Sequence, residues 1–142
     1  MRRNNSGPTV VWEADVKEEE LEALKALMPM YGSRTWLIQT ALDKFLSLVE
    51  TSPRYKKIVK DDIQRMLHDE KEQKIGLKSI NLRITTQQYN RFNECFPEFG
   101  GTTWFIRRIV KHTVMFMQQN NINLEELVEV SVNNILKQPV QQ

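Results

Sequence analysis

The chain has 142 residues, of which 40% are apolar, with 20 Lys plus Arg against 18 Asp plus Glu, one cysteine and two histidines. That length suits one domain or two very small ones, a lone cysteine excludes an intrachain disulfide scaffold, and two distant histidines offer no metal-ligand cluster. No run approaches the roughly 18 apolar residues of a membrane span, and the polar start MRRNNSGPTV lacks the apolar core of a signal peptide, which points to an intracellular, cytoplasmic protein without a membrane partner.

Residues 1–7 form a polar arm carrying Arg2 and Arg3. From Val10 to Val16 apolar residues alternate, with Val10, Trp12, Ala14 and Val16 on one face, which predicts a short strand. Leu21, Leu24 and Met28 then fall at helical spacing, and the turn PMYGSRT leads into a second helix over Trp36 to Glu50, apolar around most of its circumference and therefore buried. The segment 51–77 opens with Ser52 as N-cap and Pro53 at the first helical position. Its stripe of Tyr55, Ile58, Val59, Ile63, Met66 and Leu67 predicts a structured linker helix running to near Gly76.

A second strand follows in Ser79–Ile84, with Ile80, Leu82 and Ile84 inward. Thr85 with Gln88 makes a capping box, Tyr89, Phe92 and Phe96 form the next helix stripe, and Pro97 ends it. After PEFGGTT comes another apolar helix, Trp104 to Asn120, and Asn123 with Glu126 opens a last helix carrying Leu124, Leu127, Val128, Ile135 and Leu136. The linker and C-terminal helices either cover the core or dock a second subunit or protein partner.

Residues 8–50 and 78–120 read as one pattern written twice at a constant offset of 68: Pro29 matches Pro97, Gly32 matches Gly100, Thr35 matches Thr103 and Trp36 matches Trp104. The first copy carries a net −4 and the second a net +4. One strand and two helices bury too little apolar surface to stand alone, so the two strands are expected to pair antiparallel over four helices. The expected fold is mostly α: two copies sharing one ribbon, a linker helix, and a C-terminal helix and tail over 121–142.

The order of strand, helix, Gly-containing turn and buried helix resembles the ribbon-helix-helix family of the Arc and methionine repressors, over about 60% of the chain. S-I-N-L-R-I-T-T-Q-Q-Y is the closer match to the family's strand running into its first helix. The family builds its unit from two chains, so the resemblance implies a single-chain pseudo-dimer that binds double-stranded DNA. It also implies a role in transcriptional regulation, such as a repressor, or in a phage or plasmid DNA-processing complex, with a nucleoid location.

A ribbon packed on helices by one face offers its other face to the major groove. In the second copy that face carries Ser79, Asn81 and Arg83, side chains suited to base edges. The matching residues of the first copy are Val11, Glu13 and Asp15, and two carboxylates there oppose DNA. Glu13 either reads cytosine or neutralises Arg83 across the ribbon; Asp15 either shares the strand face or leaves it as a helix N-cap with Glu18 at N3. A reading ribbon is thus asymmetric, with the second strand carrying most contacts.

The turns Gly32-Ser33-Arg34-Thr35 and Gly100-Gly101-Thr102-Thr103 place free backbone N–H groups at helix starts, which suits a DNA phosphate; the resemblance implies the same contact. The competing reading is plain helix capping by Ser33, Thr35, Thr102 or Thr103. Arg2, Arg3 and Arg34 are further candidates for the DNA backbone, whereas Arg54, Lys56, Lys57 and Lys60 read as a solvated face of the linker helix.

Trp36 and Trp104 are expected in the core, Arg107, Arg108 and Lys111 on the solvent edge of their helix, and Cys95 buried and inert. No nucleophile is paired with His68 or His112 in sequence, and no phosphate loop or hydrolase motif occurs, so neither catalysis nor a cofactor is expected. The competing function is a protein-interaction adaptor that keeps the fold without reading DNA.

Overall fold

The computed structural model describes residues 8–69, 76–119 and 123–137. Among these residues the fold is mostly helical, with six helices and one two-stranded antiparallel sheet. The chain runs β1 (Thr9–Lys17), α1 (Glu18–Leu27), α2 (Tyr31–Val49), α3 (Pro53–His68), β2 (Leu77–Thr85), α4 (Thr86–Cys95), α5 (Gly101–Gln119) and α6 (Leu124–Ile135). The arm with Arg2 and Arg3, and the residues around the expected end of the linker helix, lie outside the described residues.

The alternation read in both strands sets their register. Val10 faces Ile84, Trp12 faces Leu82 and Ala14 faces Ile80, so the buried rows of both strands form one apolar face. Each end of the ribbon is tied to the helix that follows it. Glu18 N–H donates to Gly76 O at 2.6 Å and Thr86 N–H donates to Pro8 O at 3.0 Å. The two donors, and likewise the two acceptors, are 68 residues apart.

Helix starts follow their local chemistry. Thr85 and Gln88 form the capping box, with both reciprocal bonds at 3.0 Å. Ser52 Oγ accepts from Tyr55 N–H at 3.1 Å ahead of Pro53, and Asn123 Oδ1 accepts from Glu126 N–H at 2.8 Å. Asp15 is no cap. The backbone stays extended through Lys17, and the three glutamates Glu18, Glu19 and Glu20 in the first turn of α1 favour the positive end of the helix dipole instead.

The core is dominated by aromatics. Phe45 lies 5.0 Å from Phe105 and 5.8 Å from Trp104 between ring centroids, and Trp12 meets Phe92 edge-on at 5.1 Å. α3 buries Ile58, Val59, Ile63 and Met66, and α6 buries Leu127, Val128, Val132, Ile135 and Leu136. At about 1.5–3 kcal/mol for each large apolar side chain taken from water, both helices belong to the core of this chain. Leu124, expected on that stripe, stays exposed at the first turn of α6.

Several sequence expectations are corrected. Trp104 is fully buried, but Trp36 is 37% exposed, because among the described residues no element covers the first tryptophan as α3 covers the second. Tyr89 is exposed; α4 turns Gln88 inward, where its Nε2 donates to Gln39 O at 3.1 Å and Asp43 Oδ1 at 2.8 Å. α2 begins at Tyr31, so Gly32, Ser33, Arg34 and Thr35 form its first turn rather than a loop before it. α5 begins two residues later than the offset of 68 from α2 would place it, at Gly101, because Gly100 adopts φ +100° and packs under Leu67 of α3, where an added Cβ would lie 3.1 Å from Leu67 Cδ1.

Candidate nucleic-acid interface

The alternation that buries Trp12, Ala14 and Val16 turns the intervening side chains outward, and the register fixes their neighbours. Val11 stands opposite Arg83, Glu13 opposite Asn81, and Asp15 opposite Ser79. Six exposed side chains therefore form two rows on one surface. Ser79, Asn81 and Arg83, expected to face outward together, do so.

Of the two roles open to Glu13, neutralising Arg83 is not the one the register favours, because Glu13 lies across from Asn81 and one step away from Arg83 along the strands. Glu13 Oε2 instead accepts from Ser79 Oγ at 3.2 Å, and Arg83 Nη1 donates to Thr9 Oγ1 at 3.0 Å. Ser79 is thereby turned toward a carboxylate. Arg83 stands at the end of the surface away from both acids, beside Val11, which is 54% exposed. In the sequence Val11 stands out only as a departure from its match in the second pattern, Ser79. Its signal was an apolar residue at an outward strand position.

The flanks of the ribbon are held by the two long helices. Gln39 Nε2 of α2 donates to Arg83 O at 2.6 Å, and Arg107 Nε of α5 donates to Asp15 O at 2.7 Å. Arg107 is only 7% exposed, so it is a strut between helix and strand and not a solvent edge. Arg108 is also largely covered, with Nε donating to Asp62 Oδ2 at 3.0 Å. Only Lys111 of that trio is exposed.

The first turn of α2 runs beside β2. A cleft there is lined by Lys25, Tyr31, Arg34, Ser79 and Asn81, among others, and Tyr31 Oη reaches Asn81 O at 3.5 Å. Two cations thus flank the outward row of the second strand. Arg34 is anchored: its Nη1 donates to Met28 O at 2.8 Å and Pro29 O at 3.0 Å, closing the C-terminus of α1. Ser33 and Thr35 do not cap α2, whose N-cap is Met30 with no side-chain bond, and Thr35 Oγ1 is buried without a partner among the described residues.

At the other turn Gly101, Thr102 and Thr103 line a shallow cleft with Asn93, Phe96, Glu98, Phe99 and Gly100, and no ribbon residue borders it. The two turns are thus differently placed with respect to the outward rows. Cys95 is buried, and burial first of all pushes its thiol above the ordinary range, which fits an inert side chain. On the linker helix Lys57 pairs with Asp61 at 3.1 Å in an exposed contact of the ordinary surface kind.

No described helix is long and apolar enough to cross a membrane. Comparison of the chain with protein-family models, curated proteins and solved structures finds no match.

Proposed function

We propose that this chain binds double-stranded DNA as a single-chain ribbon-helix-helix unit made of two tandem copies, reading the major groove mainly through β2. The observation that carries the reading is the outward row Ser79, Asn81 and Arg83, with the cationic cleft of Lys25 and Arg34 beside it. Arginine fits the O6 and N7 acceptors of guanine and asparagine fits N6 and N7 of adenine, each good pair giving about 1–3 kcal/mol of discrimination. Val11 beside Arg83 offers methyl groups to a thymine C5-methyl at a neighbouring step.

Several bonds support duplication. Gln39 to Arg83 O and Arg107 to Asp15 O exchange places when 68 is added to one residue and subtracted from the other, as do Glu18 to Gly76 O and Thr86 to Pro8 O. Strands of 9 residues each and first helices of 10 residues each fall at the same offset. The role suggested is that of a transcriptional regulator, or of an accessory factor in phage or plasmid DNA processing.

A second reading is favoured by Glu13 and Asp15, which put two carboxylates on the same exposed surface. Under it the fold is kept and the ribbon docks a protein. Fluorescence anisotropy with random duplex at about 50 and 200 mM salt separates the two, because released counterions make DNA affinity fall steeply with salt. Binding at low salt that weakens at least about tenfold across that range is expected. Arg83→Ala then relaxes preference at one base position of a selected site. Absence of binding at low salt leaves the adaptor reading, and an unchanged base preference in Arg83→Ala removes β2 as the reading strand.

A further inference from the structure

Away from the outward rows, α3, α5 and α6 enclose a recess of about 250 Å³. Its polar lining comes from all three helices: Asp62 of α3, Arg108, Lys111 and His112 of α5, and Asn134 with Lys137 at the end of α6. Three basic side chains face one carboxylate. That carboxylate is already engaged, since Asp62 accepts from Trp104 Nε1 at 2.7 Å and Arg108 Nε at 3.0 Å, while Arg65 Nε lies 3.3 Å from its other oxygen. Lys111 and Lys137 make no ion pair among the described residues, although Glu20 of α1 acts on Lys111 from outside the recess.

We propose that this recess binds a small phosphate-bearing anion, held by the Lys111 and Lys137 ammonium groups with Arg108 and the Asn134–His112 pair at its wall. The volume admits a tetrahedral anion with room for a small group attached to it, and charge-assisted bonds from ammonium groups are the stronger kind of hydrogen bond. The histidine supplies the remaining donor. Asn134 Nδ2 donates to His112 Nδ1 at 2.8 Å, so the neutral ring carries its proton on Nε2. Burial, followed by Lys111 and Arg108, lowers the His112 pKa to about 4, against a smaller opposing pull from Asp62. An anion among these cations relieves their repulsion, so its binding and the protonation of His112 reinforce each other, with the Asn134 amide turned so that Oδ1 accepts from the protonated Nδ1. The site is independent of DNA reading by the ribbon.

The chain has only two histidines, and His68, exposed on α3 with Nδ1 at 2.8 Å from Gln64 O, serves as the internal control. The experiment follows both imidazole Hε1 signals of the full chain by NMR. Inorganic phosphate is titrated at pH 7 with ionic strength held by sodium chloride, and sulfate, which does not itself titrate near neutrality, is used between pH 4 and 7. A saturable shift of His112 alone is expected, together with a rise of its pKa by about one unit in saturating sulfate. Lys111→Gln and Lys137→Gln, changes at exposed positions, should each weaken phosphate binding about tenfold with the fold retained by circular dichroism.

Shifts that fail to saturate, that chloride reproduces, or that survive both substitutions unchanged would overturn the site. A duplex oligonucleotide that drives His112 to the same end point, and loses that effect in Lys111→Gln, would overturn the small-anion assignment in favour of a DNA phosphate.

Discussion

The segments 9–49 and 77–119 share an order of elements and differ in what covers them. In the second, α3 lies over α5: Asp62 takes the Trp104 indole N–H, and Leu67 rests on Gly100. In the first, the matching Trp36 meets solvent. The same residue at the same place in a pattern thus becomes core or surface according to a neighbour that the pattern does not contain. The aromatic cluster of Phe92, Phe96, Trp104 and Phe105 also belongs to the second segment, with Trp12 and Phe45 reaching into it from the first.

Removing each tryptophan is the strongest way to break that comparison. Trp104→Ala should lower stability by about 3–5 kcal/mol through the cavity it leaves and the loss of the Asp62 hydrogen bond, whereas Trp36→Ala should cost about 1 kcal/mol. Urea denaturation of both variants gives the answer; equal losses would mean that α3 does not distinguish the halves.

The next effect arises at His112, whose counterpart in the first segment is Lys44. The unfolded ring takes its proton near pH 6.5 and the folded one only near pH 4, so in that window the unfolded chain binds more protons. Stability should therefore fall as pH drops from 6.5 to 4, by on the order of 2 kcal/mol once solvent screening is allowed for, and be unaffected by this group above that window. Denaturation midpoints against pH should be flatter for His112→Asn than for the unaltered chain over the same range.

The outward rows offer a smaller test. Glu13→Gln with Asp15→Asn removes two carboxylates from β1 and keeps the acceptor for Ser79, and duplex affinity at low salt should rise about five- to tenfold. An unchanged affinity would show that β1 faces no phosphate or base edge. The smallest effect is expected at Arg91, whose Nε and Nη2 donate to Glu50 at 2.7 and 2.9 Å and tie α4 to the end of α2. Both side chains are about a third exposed, so Glu50→Gln should cost no more than about 1 kcal/mol by urea denaturation. The Arg91 hydrogen bond is also the main reason the Glu50 carboxyl sits below its ordinary range, so that contribution is present at neutral pH and lost as the carboxylate protonates in acid.

The elements were legible in the sequence wherever their causes are local. Alternation fixed both strand faces, Thr85 with Gln88 and Ser52 with Pro53 marked helix starts, and Pro97 marked a stop. The outward row of β2 followed from the same alternation. What depends on packing between distant segments was not legible. Burial of Arg107 requires the Asp15 carbonyl 92 residues away, and the Glu13 to Ser79 bond requires a register that strand spacing alone leaves open. The recess at His112 draws on three helices, and no short motif joins Asp62, Lys111 and Lys137.

The pairing of Thr9 with Thr85 has a consequence for biosynthesis. At about 5–20 residues per second, translation brings β2 out of the ribosome several seconds or more after β1. Throughout that interval the residues of β1 lack the partners that pair their N–H and C=O groups in the folded chain, and Trp12 and Val16 lack the core that buries them. The charges that alternate with those side chains, Glu13, Asp15 and Lys17, are well placed to keep the waiting strand in solution until its mate arrives.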